Sequence, residues 1–315
     1  MLARVKALRE AGVLGINARN RDFVMAHNPR HAYPLVDNKL QSKKLAQAAG
    51  IAVPELYGAI HTNHELQDIP AILDAHPSCV IKPAHGSGGN GVLVLTGKRK
   101  NRYTKPNGLT LDIADVEYHA SNILSGIFSL GSVPDTAMIE YRVRQDPVFE
   151  AMSYQGVPDI RLLVYRGLPA MAMLRLPTRS SDGKANLHQG AIGVGIDIVQ
   201  GITTHGVQQN RVIDEHPDLG VELHGIAVPN WRQLLELGAS CYELTGLGYL
   251  GVDIVLDKQF GPLILEINAR PGLGIQIANQ RGLETVFTEL DQVPSEGMTP
   301  TARVELLLNT LAQQA

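Results

Sequence analysis

Two apolar stretches joined by a short polar turn constrain the fold of this chain more than any other feature. They lie within residues 251–268, and the turn between them reads Asp-Lys-Gln-Phe-Gly. This pattern predicts a β-hairpin. Asp253 interrupts the first apolar stretch. Glu266 and Asn268 are two residues apart in the second, so they project from one face of that strand.

The register of this hairpin decides whether its two carboxylates meet. If Leu256 pairs with Leu263, Asp253 lies opposite Glu266. Two carboxylates at that distance repel each other and resist burial unless a cation lies between them. Oxygen ligands from Asp, Glu and the Asn268 carbonyl suit Mg²⁺ or Mn²⁺ rather than zinc. The residues alone leave two interpretations open, a metal-binding hairpin and a hairpin whose carboxylates face solvent.

Composition excludes several classes of protein. The 315 residues are 44% hydrophobic and 19% charged, enough for one large domain or about two to three small ones. A net charge of −3 gives no overall field that would draw the chain to nucleic acid or to a membrane. No signal peptide or membrane-spanning run is visible. The two cysteines, Cys79 and Cys241, are expected to be reduced, as in a cytoplasmic protein.

A glycine-rich loop lies between two predicted strands. Residues 79–83 (Cys-Val-Ile-Lys-Pro) predict a buried strand, residues 85–91 (His-Gly-Ser-Gly-Gly-Asn-Gly) form the loop, and a second strand follows at 92–95. Glycines let backbone N–H groups converge on an anion without side chains in the way. The spacing fits neither a Walker P-loop nor a dinucleotide-binding fingerprint. A glycine hairpin over a nucleotide triphosphate fits better, and a plain flexible hairpin is the alternative.

Charged and polar residues also interrupt other predicted elements. Lys39 lies in the first turn of a helix predicted over 37–50, and Asn186 lies in a polar loop at 177–190. Charged residues inside apolar strands are uncommon unless a site needs them. Strands predicted at 137–143, 159–165 and 170–176 carry Glu140, Tyr141, Asp159, Arg161 and Arg175. The patterns further predict a strand at 51–58, an exposed polar excursion at 97–117, and helices at 118–130 and 231–246.

The order of these residues resembles the ATP-grasp superfamily, and within it the RimK-type α-L-glutamate ligase-like proteins. The resemblance covers roughly residues 35–280 and is most specific at residues 266–272 (Glu-Ile-Asn-Ala-Arg-Pro-Gly), at Asp253, at the strand and glycine loop, and at residues 186–190 (Asn-Leu-His-Gln-Gly). It implies an α+β ATP-grasp fold with two α+β subdomains gripping ATP. The N-terminal segment is expected to be truncated, because only 38 residues precede Lys39.

The resemblance also implies domain boundaries. They are a short N-terminal segment at 1–34, an N-terminal ATP-grasp subdomain at 35–140 with an insertion at about 97–131, a C-terminal subdomain with the metal site at 141–290, and a C-terminal tail and helix at 291–315.

The same resemblance assigns roles to the singled-out residues. Arg161 and Arg175 are expected to neutralise charge on the γ-phosphate and on an acyl phosphate, with Asn186 near the reacting centre. Asp253, Glu266 and Asn268 are expected to hold two Mg²⁺ ions, with Mn²⁺ as the alternative. The nucleotide-binding residues are expected to be Lys39 and Lys82 at the phosphates, Gly86, Ser87, Gly88, Gly89, Asn90 and Gly91 in the closing loop, and Glu140 and Tyr141 at the adenine.

The implied function is an ATP-dependent carboxylate–amine ligase that acts through an acyl phosphate. It is expected to add glutamate or another amino acid to a carboxylate-bearing peptide, protein or small molecule. The alternatives are an ATP-grasp kinase of a small hydroxyl substrate and a non-catalytic nucleotide-binding protein. We expect no nucleic-acid or membrane partner, and the short N-terminus favours a homo-oligomer.

Overall fold

The computed structural model describes residues 2–86, 88–129 and 131–313, with side chains from residue 6 onward. Ser87, predicted in the glycine loop, lies outside the described residues. The chain divides into two compact units. The small unit consists of Asn38–Lys44 and Val53–Val143, and the large unit of the chain up to Asp37, Leu45–Ala52 and the chain from Arg144 onward.

The strands are, in chain order, β1 Leu56–Ile60, β2 Cys79–Pro83, β3 Leu93–Leu95, β4 Gly97–Arg99, β5 Arg102–Thr104, β6 Thr110–Leu111, β7 Ala137–Tyr141, β8 Asp159–Tyr165, β9 Leu168–Leu176, β10 Ile192–Ile196, β11 Thr203–Gln208, β12 Arg211–Ile213, β13 Tyr249–Asp257 and β14 Gly261–Asn268.

The α-helices are α1 Leu2–Glu10, α2 Ile16–Ala18, α3 Met25–His27, α4 Pro34–Asp37, α5 Lys39–Ala48, α6 Ile69–Ala75, α7 Ile113–Leu124, α8 Pro147–Glu150, α9 Trp231–Thr245, α10 Gly274–Ala278, α11 Leu283–Leu290 and α12 Pro300–Ala312. A π-helical turn runs over Arg19–Val24, and 3-10 turns run over Arg30–Ala32, Asn63–Asp68 and Leu187–Gln189.

The small unit is built on an antiparallel sheet in the order β1-β7-β2-β3. Its core consists of side chains from the sheet, from α6 and from α7, and Ile69, Leu73, Ile81, Val116 and Ile123 are all fully buried. The strand predicted at residues 79–83 is confirmed residue for residue. The strand predicted at 51–58 begins later, at Leu56.

Most of the polar stretch at 97–117 is exposed, as predicted, but residues 97–111 are not irregular. Residues 97–111 fold into a second sheet in the order β4-β5-β6, and Tyr103 in its middle strand is only 2% exposed. The sequence did not reveal this sheet, because one aromatic residue supplies its burial and polarity dominates the rest of the stretch. A basic side chain also covers this aromatic residue, since Lys98 Nζ lies 5.3 Å from the Tyr103 ring centroid.

The helix predicted at 118–130 lies earlier, at Ile113–Leu124. Asp112 sets its start: its side chain accepts from the Asp115 N–H, and the Asp115 side chain accepts from the Asp112 N–H in return. This capping box fixes the first turn. Ser125 caps the other end of the helix.

The large unit is built on an antiparallel sheet in the order β12-β11-β10-β9-β8-β13-β14. Helix α9 packs against one face, where Gly238 permits a close approach because a Cβ there would lie 2.3 Å from a Leu162 methyl carbon. On the other face an apolar cluster that includes Leu163, Met171, Ile275 and Phe287 covers one end of the central strands. The remainder of that face carries the charged residues described below.

The N-terminal segment is part of this unit's core. Leu14 and Val24 are buried in the same apolar cluster. Asn28 donates to the carbonyls of Tyr249 at 2.7 Å and Ala269 at 2.9 Å, and it accepts from the Tyr249 N–H. A buried asparagine with three such bonds joins this segment to β13 and to the turn after β14.

The acidic hairpin forms as predicted, with one correction to its register. Asp253 pairs with Glu266, but Leu256 pairs with Pro262 rather than with Leu263. The register shifts between Asp253 and Ile254, so β14 contains a bulge that inserts one extra residue. This bulge is why Asp253 lies opposite Glu266 although the predicted leucine pair does not form.

Candidate functional site

The glycine loop has the backbone conformation that only glycine adopts easily. Gly88, Gly89 and Gly91 have φ values of 63°, 77° and 75°. A Cβ on Gly91 would also lie 2.6 Å from the ring of Phe128, so this position excludes any side chain on two grounds. The loop therefore approaches its neighbours with bare backbone, the arrangement in which peptide N–H groups can converge on an anion.

Asp135 fixes the root of this loop, and the sequence did not point to it. Its fully buried carboxylate accepts from the His85 N–H at 3.0 Å, and the His85 Nδ1 lies 2.7 Å from it. The same carboxylate accepts from the Thr136 N–H at 2.7 Å. The loop thus starts from a rigid base, because several bonds to one buried carboxylate hold its first residue.

Lys39 reaches the glycine loop, although 47 residues separate it from the loop. Its ammonium donates to the Gly86 carbonyl at 2.5 Å, and its backbone N–H donates to the Ala84 carbonyl at 2.9 Å. The first turn of α5 is therefore attached to the loop by both backbone and side chain. The structure thus brings together Lys39 and the glycine loop, both of which the sequence predicts at the nucleotide phosphates.

Lys82 contacts Glu140 on the neighbouring strand. Glu140 pairs with Val80 across β2 and β7, so Lys82, two residues further on, lies diagonally beside it on the same face. The Lys82 Nζ lies 2.5 Å from Glu140 Oε1, and Lys43 Nζ lies 3.0 Å from Oε2. Burial alone would raise the pKa of Glu140, but Lys82 and then Lys43 lower it, so the buried carboxylate is ionised.

Lys43 is the residue of this cluster that sequence reasoning missed. It is only 5% exposed, and its ammonium also donates to the Pro54 carbonyl. Burial lowers the pKa of Lys43 to about 8; Glu140 opposes this change and Lys82 adds to it. The available signal was its position one turn after Lys39 on the same helix.

Tyr141 ends β7, and its backbone N–H donates to the Glu55 carbonyl at 2.8 Å. That donor is therefore already used within the small unit. The predicted adenine-holding role of Glu140 and Tyr141 stays a prediction. The observed contacts of the Glu140 side chain indicate a different role, because its carboxylate binds Lys82 and Lys43.

Charged residues form a row across three strands of the large unit. Arg161 on β8 pairs with Asp253 on β13, which pairs with Glu266 on β14. Directly paired residues share a face of the sheet, so all three side chains lie on one side. Asp159 and Arg175, themselves a pair across β8 and β9, extend the same group.

The two arginines share the two aspartates. Arg161 holds Asp253 through two hydrogen bonds, Nε to Oδ1 and Nη2 to Oδ2, the second at 2.7 Å. Arg175 donates its Nε to Asp159 at 2.5 Å, and its Nη2 lies 2.7 Å from Asp253 Oδ2. Such charge-assisted pairs fix both guanidinium planes. The arginines are therefore held in place before any ligand arrives.

Burial and neighbouring charge shift the pKa values of the two aspartates in opposite directions. Burial raises the pKa of Asp159, and its contact with Arg175 offsets this only in part. Burial would also raise the pKa of Asp253, but Arg161 and then Arg175 hold it well below its usual range. For Arg175, burial alone would lower the pKa, yet the two aspartates raise it. Asp253 is thus the carboxylate that stays ionised as the pH falls.

The oxygen ligands predicted for Mg²⁺ fit such an ion chemically. A carboxylate offers about four acceptor positions, and the arginines use three of those on Asp253. Glu266 and Asn268 are part-buried on the same strand face, and the Asn268 Nδ2 is buried without a hydrogen-bond partner. No group of three or more His, Cys, Asp or Glu side chains with metal-site geometry lies among the described residues. The predicted metal-ligand set of Asp253, Glu266 and Asn268 is not such a group, because its third member is an asparagine.

Asn186 has a local role in the structure. Its side chain accepts from the His188 N–H at 3.0 Å, and its carbonyl accepts from the Ala191 N–H at 3.1 Å. These bonds cap the 3-10 turn that follows. The structure therefore explains this residue by turn geometry, and its predicted place near the reacting centre stays a prediction.

Arg19 supports the turn that follows the metal-ligand strand. Its Nη1 donates to the Pro271 carbonyl at 2.8 Å, and its Nε is buried without a hydrogen-bond partner. It is only 7% exposed. The N-terminal segment thus contributes a buried cation to the Ala-Arg-Pro-Gly turn, which the sequence did not reveal.

Comparison with known proteins identifies the family. The model of the sugar-transfer associated ATP-grasp family matches residues 18–292. The chain belongs to this family. The α+β ATP-grasp fold predicted from the sequence is thereby confirmed.

Similar proteins agree with this assignment at low identity. A probable alpha-L-glutamate ligase from Aeromonas salmonicida is 22% identical over 256 residues, which cover 81% of this chain and 63% of that protein. The name of this relative agrees with the predicted RimK-like resemblance. The chain thus spans less than two thirds of this curated relative.

Solved ATP-grasp structures are similar at low TM-scores. The ATP-grasp ligase PsnB with a minimal precursor has a TM-score of 0.44 and 16% identity, over 84% of this chain and 61% of that one. The biotin carboxylase–β,γ-ATP complex from Campylobacter jejuni has a TM-score of 0.49 and 15% identity, over 82% and 46%. At these scores the family assignment rests on the family model. Among the described residues, no helix has the length and apolar character needed to cross a bilayer.

Proposed function

We propose that the chain is an ATP-dependent carboxylate–amine ligase that acts through an acyl phosphate and adds glutamate or another amino acid to a peptide, a protein or a small molecule. The observation that carries the proposal is the row Arg161–Asp253–Glu266 on one sheet face. Such a row places fixed cations beside oxygen ligands, which phosphoryl transfer requires. Family membership and the name of the curated relative support the reaction class.

In this proposal the small unit binds the nucleotide. Lys39 and Lys82 neutralise the phosphates, and the loop residues Gly86, Ser87, Gly88, Gly89, Asn90 and Gly91 cover them with backbone N–H groups. Glu140 and Tyr141 border the adenine. The attachment of Lys39 to Gly86 supports a shared phosphate site, because it joins the first lysine to the loop.

The large unit is proposed to carry the chemistry. Asp253, Glu266 and Asn268 would hold two Mg²⁺ ions, or Mn²⁺ instead, and these ions neutralise charge on the phosphates when bound. Arg161 and Arg175 stabilise negative charge on the γ-phosphate as the carboxylate attacks it, and then on the acyl phosphate. Asn186 positions the acyl group for the amine. The aspartates that hold both arginines keep them oriented without cost at the moment of reaction.

The remaining predictions belong to the same proposal. The substrates are an amino acid and a carboxylate-bearing acceptor, and the enzyme is a cytoplasmic homo-oligomer without a nucleic-acid or membrane partner. Two free, buried thiols, Cys79 and Cys241, support a reducing compartment. The domain boundaries 1–34, 35–140, 141–290 and 291–315 are also retained as proposals.

The test is ATP turnover against a panel of amino acids and acidic peptides, with products identified by mass. We expect ADP and phosphate release only when a carboxylate and an amine are both present. Glu266→Gln should abolish it, and Glu284→Gln, which changes an exposed glutamate on α11, should not. Phosphate transfer to a hydroxyl without phosphate release would establish the kinase instead. Full activity of Glu266→Gln would refute the metal assignment.

A further inference from the structure

Lys43 lies behind the pair formed by Lys82 and Glu140. Its side chain is 4% exposed, that of Glu140 is 4% exposed, and that of Lys82 is 12% exposed. Lys82 is therefore the outer end of the cluster and Lys43 the inner end. The proposed ligase chemistry assigns no task to this inner lysine.

The contacts form a continuous chain. The Pro54 carbonyl accepts from Lys43, Lys43 lies beside Glu140 Oε2, and Lys82 lies beside Glu140 Oε1. The two carboxylate oxygens are thus divided between two ammonium groups. An ammonium has three N–H donors, so Lys82 can contact Glu140 and a phosphate oxygen at the same time.

We propose that Lys43 is a positioning residue: it neutralises and fixes Glu140, so that Glu140 holds the Lys82 ammonium where the nucleotide phosphates bind. The inference rests on the proposed function, since it deepens the role given to Lys82. Without Lys43, Lys82 is the lysine that remains beside the buried carboxylate, which then holds the Lys82 ammonium more tightly. The cluster also loses its excess positive charge, so phosphate oxygens are attracted less strongly.

A purely structural lysine would behave differently. If Lys43 only attached α5 to the Pro54 carbonyl, its replacement would lower stability and leave the affinity of the folded protein for phosphates unchanged. The positioning role instead predicts a change in nucleotide affinity that exceeds any change in turnover. The chain offers a matched control in Lys44, an exposed lysine on the same helix.

The experiment measures ADP binding by calorimetry in the wild-type protein, in Lys43→Met and in Lys44→Met. We expect the dissociation constant for ADP to rise about tenfold in Lys43→Met, as for the loss of one nearby charge, and less than twofold in Lys44→Met. The KM for ATP should rise by a similar factor while kcat changes less than threefold. A binding constant within twofold of wild type in folded Lys43→Met would overturn the inference.

A second measurement covers the case in which Lys43→Met does not fold. In wild-type protein labelled with ¹³C at lysine Cε, the Lys43 signal, assigned by its loss in Lys43→Arg, is titrated with and without ADP. The titration midpoint should move to higher pH with ADP. The bound phosphates add negative charge to the cluster and contact the Lys82 ammonium, and both effects favour the charged form of Lys43. A midpoint that does not move while ADP binds would refute the positioning role. Failure of the wild type to bind either ADP or ATP would instead overturn the proposed function itself.

Discussion

Lys43 gives the stability of the small unit an unusual dependence on pH. Its pKa lies near 8 in the folded protein and near 10.5 in an unfolded chain. Below pH 8 the residue is charged in both states, so the folded state bears the full cost of a buried ammonium. Between pH 8 and 10.5 the unfolded chain binds more protons than the folded one, and stability therefore rises with pH.

The magnitude follows from that difference in pKa. One pKa unit corresponds to about 1.4 kcal/mol, so the whole difference corresponds to about 3 kcal/mol, of which pH 10 recovers about 2–3 kcal/mol. Other groups also titrate in this range. The quantity to compare is therefore the free energy of unfolding of the wild type minus that of Lys43→Met, at pH 7 and at pH 10.

The assay is urea unfolding followed by far-UV circular dichroism at several pH values. Fluorescence of Trp231, the single tryptophan, reports unfolding of the large unit and serves as an internal control. The difference between the wild type and Lys43→Met should grow in favour of the wild type as the pH rises, whereas Lys44→Met should follow the wild type at every pH. A constant or shrinking difference would show that Lys43 is not a buried, charged lysine at neutral pH.

Three further predictions concern the loop, the arginines and the metal. Gly91→Ala should raise the KM for ATP at least fivefold, because its Cβ would meet Phe128, whereas Gly108→Ala, also at positive φ but in open space, should not; steady-state kinetics compares the two. Arg161→Lys should lower kcat at least tenfold with a small change in melting temperature, since a lysine cannot reproduce the two bonds to Asp253. Removing divalent cations with EDTA should abolish phosphate release, and Mg²⁺ or Mn²⁺ should restore it; release that persists in EDTA would contradict a metal role.

The hairpin shows what the sequence could predict and what it could not. The alternation of apolar and acidic residues was enough to place Asp253 opposite Glu266. The bulge beside the Asp253–Glu266 pair was not predictable, because a bulge depends on the register set at the turn and on packing against β8, neither of which periodicity encodes. The correct carboxylate pair was therefore obtained from a leucine pair that does not form.

In the small unit, local sequence signals predicted some elements correctly and misplaced others. Strand β2 and the glycine loop follow from composition, since a short apolar run and glycines at positive φ have strong local signatures. Helix α7 was displaced because its start is set by a capping box, and the apolar residues further along the chain gave the stronger signal. Burial of Tyr103 was missed because it results from a single contact surface rather than from a repeating pattern.

Lys43 was missed for a different reason. A helix that carries Lys39, Lys43 and Lys44 gives the pattern of a solvated face, and sequence alone does not show which lysine turns inward. Only tertiary contacts, the pairing of β2 with β7 and the contact between residues about a hundred positions apart, bring Glu140 to the helix that carries Lys43. Buried ion pairs of this kind depend on tertiary contacts, so their members are identified only once the sheet order is known.

The two charged clusters differ in how their cations are paired, and this difference bears on how ATP would be used. In the small unit Lys39, Lys43 and Lys82 outnumber Glu140, so a polyphosphate is attracted without help from a metal. In the large unit Asp159 and Asp253 already occupy the donors of Arg161 and Arg175, and Glu266 lies beside them as a further oxygen ligand. A phosphate carrying Mg²⁺, whose metal can bind these oxygens, is therefore favoured there over a bare phosphate. Nucleotide affinity should therefore survive metal removal better than turnover does. The opposite order, with affinity lost first, would mean that the lysines of the small unit do not hold the phosphates.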